Sequence, residues 1–105
     1  MKAVVYMGSS KRDLDAFPLE ARIEADVDIE RVRQGEMPRS FDTLPRVGQG
    51  AYEIRINIGT AWRVIYVANR KEAVYVLHCF QKKTRATSQK DIDLAARRYR
   101  RIGKG

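Results

Sequence analysis

From Tyr52 to Ile58 the chain alternates without a break, with Tyr52, Ile54, Ile56 and Ile58 on one side and Glu53, Arg55 and Asn57 on the other. A period of two is the mark of an antiparallel strand with one buried and one polar face. Gly59 and Thr60 turn the chain into a second apolar run, Trp62 to Ala68, and Asn69-Arg70-Lys71-Glu72 turns it into a third, Ala73 to Phe80. Three neighbouring strands are predicted there. A shorter run, Ala3 to Met7, closed by Gly8, predicts a further strand near the start.

The helices are signalled by their ends. Ser10-Lys11-Arg12-Asp13 has capping-box spacing and opens a short helix that Pro18 interrupts. Pro18 suits the first turn of a second helix running to Gln34, with Gly35 as its stop. From Leu19 to Ile29 the apolar residues fall at Leu19, Ala21, Ile23, Ala25, Val27 and Ile29, which by period alone spells a strand. The Ala, Glu and Arg content and the length from Pro18 to Gln34 argue for helix, and helix is the expectation. Residues 36–50, with Pro38, Pro45, Gly48 and Gly50, read as a loop. Ser88-Gln89-Lys90-Asp91 is a second capping box, opening a helix with Ile92, Ala95, Ala96, Tyr99 and Ile102 on one stripe and Gly103 as its end. The predicted order is β-α-α-β-β-β-α, an α+β domain with an antiparallel meander sheet and flanking helices. Without repeat or linker, residues 1–105 read as one domain.

Composition narrows the chemistry. A single cysteine, Cys79, excludes an internal disulfide and fits a reducing cytoplasm. One Cys with one His falls short of the roughly four ligands of a structural zinc site, so no metal or other cofactor is expected. No apolar run approaches the ~20 residues of a bilayer crossing, and the Met1–Tyr6 run is too brief for a signal-peptide core; no membrane partner is expected.

Charge changes the picture more. The chain carries a formal net charge of +8. Residues 1–46 hold 8 basic and 9 acidic residues, whereas residues 82–105 hold 9 basic residues against Asp91 and Asp93. Nearly all the excess lies in the last quarter, in Lys82, Lys83, Arg85, Lys90, Arg97, Arg98, Arg100, Arg101 and Lys104. Such asymmetry is the footprint of a polyanion binder, though a solvated helix face would show the same sign.

Arg55 lies opposite the isoleucine row, Arg63 one hairpin turn later, and Lys82 and Lys83 directly after the third strand. On neighbouring strands these four can converge on one polar patch. Phosphodiester cleavage builds negative charge on phosphoryl oxygens, which fixed guanidinium and ammonium groups stabilise. His78, in the alternating run Val74, Val76, His78, Phe80, is open to two readings, a half-buried structural histidine or a proton-transfer group. Cys79, on the other face, reads as a small buried residue. Glu53 is the one carboxylate near the basic strands, which disfavours a two-carboxylate mechanism. Gly48-Gln49-Gly50 lacks the helix of a dinucleotide loop and reads as a turn. Trp62, Tyr66 and Phe80 suit the core better than base stacking.

Phe17-Pro18, Gln34-Gly35-Glu36-Met37-Pro38, Gly50-Ala51-Tyr52-Glu53-Ile54-Arg55, Trp62-Arg63-Val64-Ile65-Tyr66 and Leu77-His78-Cys79-Phe80-Gln81-Lys82-Lys83-Thr84 together resemble the RelE/HigB-type toxins of bacterial toxin–antitoxin systems, above all their phage-derived HigB-like branch. The segment Asp91-Ile92-Asp93-Leu94-Ala95-Ala96-Arg97 is similar to the last helix of that family. The resemblance implies a RelE-like fold, with two N-terminal helices beside an antiparallel sheet. It implies messenger-RNA cleavage in the ribosomal decoding site and neutralisation by a HigA-like helix-turn-helix antitoxin. It places Arg55, Arg63, Lys82 and Lys83 where such toxins carry phosphate-binding and catalytic cations. Many relatives have a Tyr or His near the C-terminus for proton transfer, whereas this chain ends Arg100, Arg101, Ile102, Gly103, Lys104, Gly105, which leaves His78, Lys82 and Tyr66 as candidates. On this reading Lys90, Arg97, Arg98, Arg100 and Arg101 contact ribosomal RNA backbone. The rival expectations are a non-catalytic RNA- or ribosome-binding module and a phage-derived interaction protein.

Overall fold

The structure, a computed structural model, describes residues 1–103; Lys104, counted above in the basic tail, lies outside them. Three helices and five strands are described: β1 (Ala3–Tyr6), α1 (Ser10–Asp15), α2 (Leu19–Arg33), β2 (Phe41–Thr43), β3 (Ala51–Ile58), β4 (Thr60–Val67), β5 (Ala73–Lys82) and α3 (Gln89–Tyr99). The sheet order is β1-β5-β4-β3-β2. The domain is α+β, as its pattern of elements predicts.

Two expectations need correction. The sheet is mixed, because β1 pairs parallel with β5 while the other neighbours are antiparallel. After β1 the chain runs through α1 and α2, and it joins the sheet at the far edge. The meander back then brings β5 beside β1 in the same direction, the arrangement that a long helical crossover permits. The loop expected over residues 36–50 also contains β2. Arg39 anchors that stretch: its backbone N–H and Nε donate to Asp28 Oδ1 at 3.1 and 2.9 Å, and its guanidinium meets Glu24 Oε2 at 2.7 Å. Held to α2 in this way, Phe41 falls into register opposite Ile54.

Helix α2 follows its termination signals. Pro18 is the N-cap residue, Gln34 the C-cap, and Gly35 turns away at φ +88°, a conformation that favours glycine. Ala21, Ala25, Ile29 and Val32 form its buried stripe, at helical spacing. They pack with Leu14 and Phe17 against Ile54, Ile56, Val64, Tyr66, Val74, Val76 and Cys79, one face of the sheet. On the other face α3 packs Ile92 and Ala95, with Ile102 just beyond the helix, against Ile65, Val67 and Leu77.

The predicted cap of α3 is present, since Ser88 Oγ accepts from the Asp91 N–H at 3.2 Å. The predicted cap of α1 is not. Ser9 takes the N-cap position and its Oγ donates to Asp13 Oδ2 at 2.7 Å. Ser10 is fully buried and donates instead to the Val76 carbonyl, which holds the helix to β5.

Candidate nucleic-acid interface

The face of the sheet turned away from α1 and α2 carries the polar residues of the alternation. Strand register sets Arg55 opposite Arg63, Arg63 opposite Phe80, Ile65 opposite His78, and Ala61 opposite Lys82. Arg55 and Arg63 are thus cross-strand neighbours, as the period of β3 predicts. Arg63 is 2% exposed. Its Nη1 donates to Asn57 Oδ1 at 3.2 Å and to the Trp62 carbonyl at 2.9 Å, and its Nε lies 3.8 Å from Glu53 Oε1. Glu53, also buried, accepts a hydrogen bond from Thr87 through its other oxygen. Burial lowers the Arg63 pKa; Glu53 opposes the shift and the neighbouring Arg55 adds to it. Arg55 reaches outward to Asp42 Oδ2 at 3.5 Å.

The Nε atoms of Arg55 and Arg63 are both buried and lack a hydrogen-bond partner. Two unsatisfied donors on adjacent guanidiniums are costly. An oxyanion seated over the pair, with a shift of the two side chains to expose the donors, would satisfy them, because a guanidinium offers its donors in a planar fork matched to phosphate.

Beside this pair runs a groove lined by Asp42, Arg46, Glu53, Lys82, Arg85 and Thr87 among others. Lys82 opens directly onto it. Arg63 reaches it only through Glu53, and Lys83 is exposed beyond the end of β5. The structure therefore groups Arg55, Arg63 and Lys82 and leaves Lys83 aside. Arg46 and Arg85 were not among the expected site residues. Both stand in irregular segments, where no period marks which way a side chain faces.

His78 departs from expectation. A β-bulge in β5, where the register with β4 shifts at Ile65/Tyr66, inserts one extra residue. Beyond it the side chains change faces. Cys79 joins Val74 and Val76 in the core under α2, and His78 moves to the α3 side with Leu77. There it is 6% exposed, stacked on Phe80 at 4.5 Å between ring centroids, with Nε2 2.7 Å from Asp91 Oδ1. Burial lowers its pKa and Asp91 opposes the shift. The neutral ring donates its single N–H to Asp91, and Nδ1 is left as a buried acceptor without a partner. The third proton-transfer candidate, Tyr66, lies on the opposite face in the core under α2, and burial raises its phenol pKa.

A family model described as Phage derived protein Gp49-like (DUF891) matches residues 12–100. The chain belongs to this Gp49-like family. Comparison with curated proteins gives no match.

The basic tail of this Gp49-like protein divides in two. Lys90, Arg97, Arg100 and Arg101 are exposed. Arg98 is not free in the same way: its Nη1 donates to the Leu77 carbonyl at 2.8 Å and its Nη2 to Ser9 Oγ at 3.2 Å. It lies so close over Gly8, at φ +54°, that a Cβ there would come within 2.5 Å of its Nε. Arg98 thus tethers α3 to the bulge in β5 and to the start of α1. No helix of the described residues is long and apolar enough to cross a membrane.

Proposed function

We propose that this Gp49-like protein is the toxin of a toxin–antitoxin pair, with a RelE-like fold, and that it cleaves messenger RNA on the ribosome without a metal. The observation that carries the proposal is the cross-strand pair Arg55–Arg63, each with a buried, unpartnered Nε beside a groove that holds Lys82, Arg46 and Arg85. In the reaction the RNA 2′-hydroxyl attacks the adjacent phosphorus, and the 5′-oxygen of the next nucleotide leaves and takes a proton from solvent water, giving a cyclic phosphate and a free 5′-hydroxyl. The guanidiniums and Lys82 hold the charge that develops on the phosphoryl oxygens. Two carboxylates line the groove, Asp42 against Arg55 and Glu53 between Arg63 and Thr87; on this reading Glu53 takes the proton of the 2′-hydroxyl. The partner on this reading is a small helix-turn-helix, HigA-like antitoxin.

Two measurements test the proposal. Induced alone, the protein arrests bacterial growth, and co-expression of the adjacent small protein restores it; normal growth with soluble wild-type protein refutes the toxin reading. On programmed ribosomes, Arg55→Ala lowers cleavage about 10²-fold, roughly 3 kcal/mol of transition-state stabilisation, and leaves ribosome binding nearly unchanged. Arg55 serves better than Arg63 for this, because its side chain is 39% exposed and its loss spares the core.

The engagement of His78 with Asp91 favours a second reading, a non-catalytic RNA- or ribosome-binding module, because it takes the sole imidazole out of proton transfer. Wild-type binding to ribosomes without cleavage selects that reading.

A further inference from the structure

Helix α2 is apolar on two opposite sides. Ala21, Ala25, Ile29 and Val32 face the sheet. Leu19, Ile23 and Val27, one turn apart, face solvent at 62%, 49% and 43% exposure. Interleaved, the two stripes produce the strand-like alternation from Leu19 to Ile29. Scattered exposed aliphatics are ordinary on a protein surface; three in line along one helix are not. Nor do they serve the helix itself, since β-branched Ile and Val are poorer helix formers than the Lys, Glu or Gln that a solvated position favours.

We propose that the ridge Leu19–Ile23–Val27 is a docking surface for an amphipathic helix of a partner protein that carries Lys and Arg beside its own apolar stripe. Charge selects this occupant. Residues 18–37 hold six acidic residues against Arg22, Arg31 and Arg33, in a chain whose net charge is +8; from just beyond that stretch Arg39 pairs with Glu24 and with the buried Asp28. Arg31 pairs with Glu36 at 3.1 Å and Arg33 with Glu30 at 2.8 Å, which leaves Glu20 and Asp26 as the carboxylates of this stretch outside the described ion pairs. Glu20 and Asp26 stand exposed beside the ridge, which runs on into a shallow groove lined by Asp26, Val27, Glu30, Arg31, Gln34 and Glu36. Such a surface offers nucleic acid Arg22 alone against Glu20 and Asp26, and no cationic patch. A second copy of the chain fits poorly, because a two-fold contact would bring two acidic segments together, and three side chains fall far short of the ~800 Å² per partner of a standard interface. A single helix needs only anchors at i, i+4 and about i+8, and basic flanks match the acidic rim. The ridge lies on α2, which covers the sheet face opposite the arginine pair. A partner seated there leaves the groove open, and the inference does not depend on the ribonuclease reading.

The test uses the full chain and two synthetic helices of about five turns, alike in their apolar stripe, one flanked by Lys and the other by Glu. The Lys-flanked peptide shifts the amide resonances of Leu19, Ile23, Val27 and Asp26, and binds about tenfold or more tightly than its Glu-flanked twin. Ile23→Lys with Val27→Lys abolishes the shifts while the circular dichroism spectrum is retained. Asp26→Lys, which leaves the apolar ridge intact, narrows or reverses the preference between the peptides and serves as the check if the double variant misfolds. Equal affinity for the two peptides, shifts confined to another face, or no binding of either at about 1 mM overturns the proposal. So does a chain that sediments as a dimer and becomes a monomer with Ile23→Lys, since the occupant is then a second copy.

Discussion

Under α1 and α2 the sheet presents Ile54, Ile56, Val64, Val74 and Val76, a dry layer met by Leu14, Phe17, Ala21, Ala25 and Ile29. Under α3 the same three strands present Glu53, Arg63 and His78 among Ile65, Val67 and Leu77, all buried. Both faces are closed, yet by different physics. The dry face buries mainly aliphatic volume, and the polar groups buried on its helices, Ser10 and Asp28, have partners. The other must desolvate charges, and it does so incompletely, leaving Arg63 Nε and His78 Nδ1 without partners. Polar atoms without hydrogen-bond partners in an otherwise well-formed core are poor for stability and useful for a ligand. The contrast therefore separates a face whose polar groups are paired from a face that keeps hydrogen-bonding capacity open.

The sharpest way to break the contrast is to unbalance the buried pair. Glu53→Leu leaves Arg63 charged and sealed, and is expected to cost about 3–5 kcal/mol in urea unfolding. Adding Arg63→Met should recover most of that loss, because replacing both charges removes the desolvation cost with them. On the dry face Ile54→Ala costs about 2–5 kcal/mol, with no second substitution of this kind to restore it. If the double replacement on the polar face fares no better than Glu53→Leu alone, the two faces obey the same rules and the contrast fails.

Next in size is the tether. Arg98→Ala removes donors to the Leu77 carbonyl and to Ser9 and should cost about 1–3 kcal/mol. Arg97→Ala, one residue away and exposed, should cost less than about 0.5 kcal/mol. Equal losses in thermal unfolding would mean that the bonds of Arg98 to Leu77 and Ser9 add nothing to the fold.

A pH series sharpens the polar face further. His78 titrates below its unfolded value, mainly through burial, so the unfolded chain binds the proton more readily than the folded one. The stability tied to His78 is complete above the unfolded pKa of about 6.5, and it drains away as pH falls from there toward the lower folded value. His78→Gln should flatten the dependence of the urea midpoint on pH in that window. An unchanged slope would show that His78 is not protonated on unfolding there.

The smallest effect on the fold belongs to the exposed tail. Arg97→Gln with Arg101→Gln should leave stability within about 0.5 kcal/mol. The same double variant should flatten the plot of log ribosome affinity against log salt by roughly one to two units. Superimposable slopes would assign these arginines to solvent or to another partner.

What the sequence discloses depends on how local each device is. The period of β3 places Arg55 away from the isoleucine row, and the Ser88 cap and the Ile92–Ala95 stripe mark α3; each needs only neighbours a turn or a strand step away. The bulge at Leu77 is an extra residue with no signature of its own, so the face taken by His78 could not be read. Arg98 and Arg97 are adjacent and chemically identical, and what distinguishes them lies far along the chain, in the carbonyl of Leu77 and in Gly8 and Ser9. The parallel seat of β1 and the strand Phe41–Thr43 are likewise consequences of contacts distant along the chain. The alternation in α2 was ambiguous for a different reason. Two helical stripes were superposed, and one of them belongs to no part of the core.

The bulge in β5 also governs the oxidation chemistry of the protein. By shifting the strand's phase at Leu77, two residues before Cys79, it turns the lone thiol into the layer beneath α2, where the residue is 2% exposed and burial pushes its pKa well up. A sulfur kept protonated and out of reach is a poor nucleophile toward peroxide or alkylating agents. Had the strand continued in register, that sulfur would have pointed toward the arginines and been open to modification at the groove. One unpaired residue thus keeps the cationic surface free of a redox-sensitive group.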